Sequence, residues 1–530
     1  MKPTFKNGLL GCALVLLSAA ALADASPNDA VGAFVIARFD VAGDTVLGAA
    51  SIAQLLAPFT GTTRHFSDVQ SAIDSLENAY RARGVTLARV SLPEQELNEG
   101  TVHLVVTETH IRNVQIIGNT HFDNANIRRS LPGLIEGQPP RMTQISDSLR
   151  LANENPAKKT TIAMQSAPND DEVDATLQVV DEKPWLAGLS LDNAGSDATG
   201  KTQLSVQLQY FNVAGLDHSL SLQYTTTLEH PNQVGVYGLG YHIPLYALGD
   251  ALDFYGSYSD VDSGTVSAGA FNLQVSGKGS VLGGRYTHNL ARSENLASHI
   301  SVGLEQKAFE NNLGFQGVQI GQDVTVRPIS AMYAGDWLHS SGATSYYAMG
   351  VRNLPGGDHG GEANFSGNRY GAPSTYSLLR YGLSHTQQFA SDWQWRAALN
   401  GQISRDALVP GEQFGAGGAA SVRGYSERAA SDDQGNVLNL EVYTPSLCNG
   451  AVQTNWQCRV VAFYDAAHLT RNDPLPGERK EANLNSIGLG VRLGLGKTMM
   501  AQIDVAQALS DSGTQSKGDT RAHLKINLAY

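Results

Sequence analysis

The amino-acid sequence predicts two small α+β domains followed by a 16-stranded antiparallel transmembrane β-barrel. Three observations carry that expectation: an N-terminal export leader, helical periodicity confined to the part before Lys183, and period-two alternation from Trp185 to Tyr530.

The leader has its usual three parts. Lys2 and Lys6 precede an apolar run from Leu9 to Leu22, and Ala21-Leu22-Ala23 supplies a small-residue cleavage site, so residues 1–23 are set aside as a signal peptide. The apolar run continues past Cys12, which argues against lipid attachment there. Beyond the leader no stretch approaches the roughly 18 to 20 apolar residues of a spanning helix. Apolar residues are instead dispersed among 55 Gly and many Ser, Thr, Asn and Gln, as in strands that alternate between lipid and water. The 50 Asp and Glu outnumber the 37 Lys and Arg, which argues against nucleic acid as a partner, because phosphate binding needs a basic face. Cys448 and Cys458 are the cysteines left after leader removal, and export to an oxidising compartment predicts a disulfide between them. His468 alone near them cannot complete a metal site, and no cofactor is expected.

Residues 24–33 form a short N-terminal segment, and two domains of one plan follow at 34–109 and 110–182. The first begins with an extended Phe34–Phe39, then a helical stretch with Ile52, Leu55, Leu56 and Phe59 on one face. A second helix carries Val69, Ile73, Leu76 and Tyr80, with Ser67 and Gln70 as a capping box and Gly84 as its stop. Extended segments at Val85–Val90 and Thr101–Thr107 complete the unit. The plan repeats from Ile111–Asn119 through helices around Ile127 and Leu131 and around Met142, Ile145 and Leu149. Pro156 ends the second of these, and strands at Thr160–Gln165 and Val173–Val180 close the domain.

The barrel occupies 183–530. In Leu204–Tyr210 one face reads Leu, Val, Leu, Tyr and the other Ser, Gln, Gln; in Ile487–Leu495 the second face holds Gly488, Gly490, Arg492 and Gly494. Such strands turn apolar chains to lipid and small or polar ones to a wet lumen. A soluble sandwich also alternates, but runs of about 10 to 13 residues suit a tilted membrane span. Sixteen starts are read, near Trp185, Thr202, Asp217, Gln233, Ala251, Gly279, Ala297, Asp323, Thr344, Ser374, Trp393, Asn436, Arg459, Ser486, Thr498 and Arg521. Short turns such as Ala214-Gly215-Leu216 alternate with long Gly-rich loops such as Val261–Lys278 and Leu354–Pro373, placing the turns in the periplasm. The last strand ends with Leu524, Ile526, Leu528 and Tyr530 on one face.

Several motifs in order resemble the transporter half of two-partner (type V) secretion, the hemolysin-activator (ShlB/FhaC/HecB-like) group of the outer-membrane assembly superfamily. The two repeated domains look like POTRA domains, the first ending in Leu92-Pro93-Glu94-Gln95, the second carrying Leu151-Ala152-Asn153-Glu154-Asn155-Pro156. Lys183-Pro184-Trp185 and Leu191-Asp192-Asn193-Ala194-Gly195 look like the entry to the barrel. Val422-Arg423-Gly424-Tyr425 matches the motif at the tip of the sixth extracellular loop. The resemblance implies that this loop folds into the lumen and that Arg423 pairs with Asp465 of Phe463-Tyr464-Asp465-Ala466-Ala467, where Ala467 replaces the family's glycine. By parity Phe463 and Asp465 face the lumen if Tyr464 faces lipid.

The resemblance further implies an outer-membrane protein of a Gram-negative bacterium with its POTRA domains in the periplasm. It would capture an unfolded exoprotein of the hemolysin, adhesin or toxin type and pass it through the barrel without ATP, which the periplasm is not expected to supply. Leu55 and Phe59 are candidate substrate contacts of the first POTRA, although packing within the domain is their alternative task. Leu528 and Tyr530 are a candidate signal to the barrel assembly machinery, and outer-membrane lipids surround the wall. The nearest rival is a factor that inserts other barrels; two POTRA units rather than five, and the Asn-x-Asn-Pro segment, favour secretion. A passive porin would not need the N-terminal domains, and no GxSxG or HExxH arrangement points to an enzyme. Ten residues at 24–33 are too few for the helix and linker that plug many family members, so that plug is expected to be absent or vestigial.

Overall fold

The computed structural model describes residues 32–530 apart from 44–45, 97–98, 170, 197–198, 261–263, 269–270, 276–277, 311–313, 316–317, 320–321, 449–454 and 514. The leader, and all of the short N-terminal segment except Gly32 and Ala33, lie outside the described residues. The chain divides into two compact units. One runs to His110 and takes in Gln138–Arg141 and Pro168–Glu172; the other holds the rest.

The first unit is a three-stranded sheet under two helices. Thr101–Thr107 is the central strand, parallel to Arg38–Ala42 and antiparallel to Arg89–Ser91. Its alternation decides the packing: Val102, Leu104 and Val106 are buried while His103 and Val105 are exposed. The buried side meets Ile52 and Leu56 of helix Ala49–Leu56 and Val69, Ile73, Leu76 and Tyr80 of helix Phe66–Ala82. Three sequence expectations change here, the first being that the extended Val85–Val90 is a turn leading into the short strand Arg89–Ser91. The extended Phe34–Phe39 is two strands, because Phe34–Ile36 pairs with Gly61–Arg64 while the Ala37 amide turns to the Gly100 carbonyl. The helix cap lies earlier than Ser67: His65 is the N-cap, and the Asp68 carboxylate accepts its backbone N–H at 2.7 Å. Gln95 of the Pro-x-Gln segment continues the sheet beyond Ser91, its carboxamide exchanging hydrogen bonds of 2.7 and 2.8 Å with the His103 backbone.

In the second unit, His110–Ile117, Glu172–Asp181 and Lys158–Ser166 form a sheet in that order, covered by helices Asn124–Arg129 and Met142–Ala152. The Asn-x-Asn-Pro segment ends the second helix. Asn153 exchanges hydrogen bonds of 2.7 and 2.9 Å with the Thr160 backbone, and Asn155 reaches the Phe211 carbonyl at 2.8 Å.

The rest of the second unit is a closed antiparallel barrel of sixteen strands among the described residues. Val324–Val326 and Pro328–His339 count as one strand, since both pair with Leu296–Glu310 on either side of Arg327. Most strand starts fall within three residues of expectation. The fourteenth begins five residues earlier, at Glu481 instead of Ser486, because polar Glu481, Asn483 and Asn485 stand above the apolar band that sequence alternation detects. The outer wall exposes an apolar belt that includes Leu208, Leu239, Leu282, Leu304, Ile487 and Leu489, the surface that lipid would cover. No helix among the described residues is long and apolar enough to cross a membrane; the strands do.

The barrel closes where Thr520–Ala529 meets Trp185–Asp192 through five residue pairs, Lys525–Asp192 to Ala529–Gly188. Tyr530 and Ala187 add two backbone bonds of 2.9 and 3.0 Å. The Asn193 side chain acts as a further strand residue, accepting from the Leu524 amide at 2.8 Å and donating to the Ala522 carbonyl at 2.9 Å.

Candidate functional site in the barrel lumen

Loop 405–433 joins the eleventh and twelfth strands, Gln394–Ser404 and Gln434–Tyr443. It folds inward as a short hairpin, Phe414–Ala416 against Ala430–Asp432, and its tip is Val422-Arg423-Gly424-Tyr425. Val422 and Tyr425 are fully buried, and Gly424 has φ +92 with the Ala506 side chain 3.3 Å from where a Cβ would stand. Both the left-handed backbone and the close approach require glycine there.

Arg423 meets the wall of strand Trp456–Thr470. Its Nε and Nη2 donate to the two oxygens of Asp465 at 2.7 Å each, and its backbone amide donates to Oδ2 at 3.1 Å. The guanidinium lies 3.5 Å over the Phe463 ring. Strand parity sets this up: Phe463 and Asp465 are 3% and 0% exposed, whereas Tyr464 between them is 37% exposed on the lipid side. Asn439 donates to Asp465 Oδ1 at 2.8 Å and to the Ser421 carbonyl at 2.6 Å, tying tip and wall together.

The motif extends into a larger network. Arg423 Nη1 lies 2.9 Å from Glu441, which also accepts from Arg396 at 3.1 Å and from the Tyr443 hydroxyl at 2.7 Å. Asp504, 3.9 Å from Arg423, is gripped by Arg492 at 2.7 Å. Three arginines, Arg396, Arg423 and Arg492, thus face three carboxylates, Glu441, Asp465 and Asp504. A buried charge is tolerable only with such compensation, and the planar fork of arginine suits it. Gly424 N–H donates to His523 Nε2 at 2.9 Å, which puts that imidazole's proton on Nδ1. The Tyr425 hydroxyl reaches the carbonyls of Ser510 at 2.7 Å and Asn485 at 2.9 Å. Gly488 and Gly490, seen in the sequence only as small lumen residues, leave room for the Phe463 ring and the Asp504 carboxylate.

Sequence reasoning missed the partners Asn439, Glu441, Asp504 and His523, although their lumen parity was readable. It also missed the anchors at the base of the loop. Asp433 is held by Nη1 and Nη2 of Arg369 and by the amides of Leu408 at 2.8 Å and Asn472 at 2.7 Å. Glu412 lies 3.0 Å from Lys307 and 3.1 Å from Arg380. On a loop, such residues look like ordinary solvated charges until the fold brings the partner in.

The other candidates are distributed elsewhere. Leu55 and Phe59 are half-buried against the core of the first unit. Cys448, after strand Gln434–Tyr443, and Cys458, inside strand Trp456–Thr470, are joined with their Cα atoms 5.4 Å apart. Leu528 pairs with Leu189, and Tyr530 stacks 5.5 Å from Trp185 at the strand end.

One string, Gly195-Ser196-Asp197-Ala198-Thr199-Gly200-Lys201-Thr202, has the letters of a phosphate-binding P-loop. Its setting removes the chemistry. It joins two antiparallel barrel strands where a P-loop needs a following helix, and the Glu229 carboxylate already occupies the Thr202 amide and hydroxyl at 3.1 and 2.8 Å.

The family model for haemolysin secretion/activation protein ShlB/FhaC/HecB matches residues 171–493, more than half of the chain, and the ShlB-type POTRA model matches residues 34–109. The chain belongs to the ShlB/FhaC/HecB family. Like its relatives, this ShlB/FhaC/HecB member is an outer-membrane transporter for secretion of exoproteins, with POTRA domains in the periplasm. The family consists of transporters, not enzymes. The heme/hemopexin transporter protein HuxB of Haemophilus influenzae is 20% identical over 473 residues, 87% of this chain and 81% of that one. The outer membrane transporter CdiB of Escherichia coli is 23% identical over 463 residues, covering 85% and 76%. The solved CdiB structure from Escherichia coli superposes with a TM-score of 0.72 at 19% identity, covering 97% of this chain and 93% of that one, and so shares the fold.

Proposed function

We propose that the chain captures an unfolded partner exoprotein of the hemolysin, adhesin or toxin type on its first POTRA domain and threads it through the barrel without ATP. The carrying observation is the sheet of that domain. Its two helices cover one face only, and both outer strands, Arg38–Ala42 and Arg89–Ser91, leave backbone groups on an edge. An incoming extended chain satisfies such groups with little regard to its sequence, which suits a receptor for unfolded substrate. Relatives named as transporters of heme/hemopexin and of hemolysin support the substrate class. Leu55 and Phe59, packed on the core, contribute to the shape of the domain and offer only their outer rims to a substrate.

Arg423 and Asp465 hold the loop tip on the wall and thereby set the free cross-section of the lumen. Folding of the exoprotein outside supplies direction. Deleting Phe34–Glu108 abolishes capture of the partner's N-terminal secretion domain in a purified pull-down. Undiminished capture by the truncated transporter moves recognition to the second POTRA or the barrel. The neighbouring open reading frame identifies the partner if it encodes a very long β-helical exoprotein.

A further inference from the structure

Asp217 ends the first periplasmic turn of the barrel, with φ +61, next to Ala214 and Gly215 at φ +55 and +72. A carboxylate on a turn is ordinarily hydrated; this one is 3% exposed. Groups of the second POTRA and of the next turn converge on it. Asn126 donates to Oδ1 at 2.9 Å, and Oδ2 accepts from the Lys158 ammonium and, at 2.7 Å, from the Tyr246 hydroxyl. Lys158 is itself buried, with Asn126 Oδ1 at 2.8 Å and the Phe122 ring beneath it. Asn126 and Arg129 both donate to the Gly215 carbonyl, at 2.9 and 2.8 Å. Ser148 donates to the Tyr246 carbonyl at 3.0 Å, beside a cluster of Leu151, Ala152 and Tyr246.

The chain also leaves little slack, because strand Glu172–Asp181 is followed after residues 182–184 by barrel strand Trp185–Asp192. Contacts between domains are mobile by default unless large and well matched. Here a dry, fully partnered ion pair adds directional matching to the apolar contact.

We propose that Asp217 and Lys158 are positioning residues for export: they hold the second POTRA closed on the first two periplasmic turns throughout transport, so the joint does not open as a gate. The inference rests on the transport reading above. The test is a covalent lock. A Cβ built on Gly249 stands 3.4 Å from the Asp147 Cβ, at the short edge of the roughly 3.5 to 4.5 Å that a disulfide spans, and Gly249 has φ +73, so its replacement is strained.

Full-length Asp147→Cys/Gly249→Cys transporter is expressed with the exoprotein of the neighbouring open reading frame, and exoprotein in the medium is measured with the lock oxidised and reduced. Equal export in both states supports a joint that stays closed. Export that stops on oxidation and returns on reduction overturns it. Asp217→Ala, which strands the Lys158 charge, lowers export by roughly tenfold or more, and adding the oxidised lock restores it. Normal export by Asp217→Ala, or loss that the lock does not repair, also overturns the proposal. The lock alone decides the matter if Asp217→Ala fails to insert. A wild-type chain that exports no partner contradicts the transport reading itself and removes the role of the joint with it.

Discussion

At the scale of single residues, the energetics of the lumen turn on asymmetry. A paired buried carboxylate is tolerated, whereas one that loses its partner costs about 3 to 5 kcal/mol. Arg423→Ala strips Asp465 of its two-point contact and is expected to release the loop tip. Export should fall by roughly tenfold or more, while the barrel still inserts and migrates as a folded, heat-modifiable species. Asp465→Arg should be worse, because it sets like charges face to face. Wild-type export by Arg423→Ala refutes the role of the tip.

Asp181 in the second POTRA shows the same logic with a polar cradle. Burial pushes its carboxyl up, but the Thr120 hydroxyl and the amides of Phe122, His121 and Thr120 outweigh burial and hold it below the usual carboxylate range. A depressed carboxyl contributes stability that is full above its unfolded value near 3.9 and is lost as pH falls through the folded value. Asp181→Asn should therefore accelerate hydrogen exchange of the amides of residues 120–122 by roughly 30-fold at pH 7, or about 2 kcal/mol. In the wild type that protection should persist down to about pH 5 and fail only in stronger acid. Exchange unchanged by the substitution would show that the cradle does not depend on the charge.

Among elements, the seam between the last and first strands is held by fewer residue pairs than its neighbours, five against eight for Trp185–Asp192 with Gln203–Val213 and nine for Met499–Ala508 with Thr520–Ala529. Asn193 compensates by satisfying backbone groups past the last pair. Asn193→Ala should speed exchange of the Leu524 amide by about fivefold, in line with a lost hydrogen bond of about 1 kcal/mol. It should also lower the temperature at which the barrel loses its folded mobility. An unaltered Leu524 amide would mean that the backbone alone holds the seam. The turn tied by Cys448 and Cys458 is a second local device. Reducing it should cost roughly 2 to 3 kcal/mol on the chain-entropy estimate for so short a loop, read as a lower denaturant midpoint. Two free thiols found by mass spectrometry in protein from an oxidising periplasm would contradict the bond.

For the whole molecule, closure and filling of the barrel are separate problems. Closure removes every strand edge from lipid, where an unpaired backbone group costs several kcal/mol. Filling is done by loop 405–433, anchored at its base through Asp433 and Glu412 and at its tip through Arg423. The two anchors are far apart in sequence from their partners, so the loop should release in stages. Arg369→Ala should loosen the outer base while leaving the Arg423–Asp465 contact intact, seen as faster exchange at Leu408 and Asn472 with the amide of Arg423 still protected. Simultaneous loss of protection at all three would show that the loop opens as one piece.

The sequence by itself determined the elements that a period can encode. Alternation such as Leu204–Tyr210 set the strands and their lipid faces, helical spacing such as Val69, Ile73, Leu76 and Tyr80 set the helices, and the motifs around Arg423 and Asp465 set the family. Solvent on one side and protein or lipid on the other imposes those periods residue by residue, so they survive in the order of the chain. Tertiary structure alone decided which charges meet. Lys158 with Asp217, Arg369 with Asp433 and Arg423 with Glu441 are separated by 59, 64 and 18 residues, and apart from Arg423, which its motif marks, each of these residues looks in sequence like a hydrated surface charge. It also shows that the P-loop letters of Gly195–Thr202 carry no phosphate cradle, because such a cradle is a property of the strand, turn and helix around the letters, and here both flanks are strands. Neither the partner of a charge nor the backbone around a motif has a period, so neither is visible until the chain is folded.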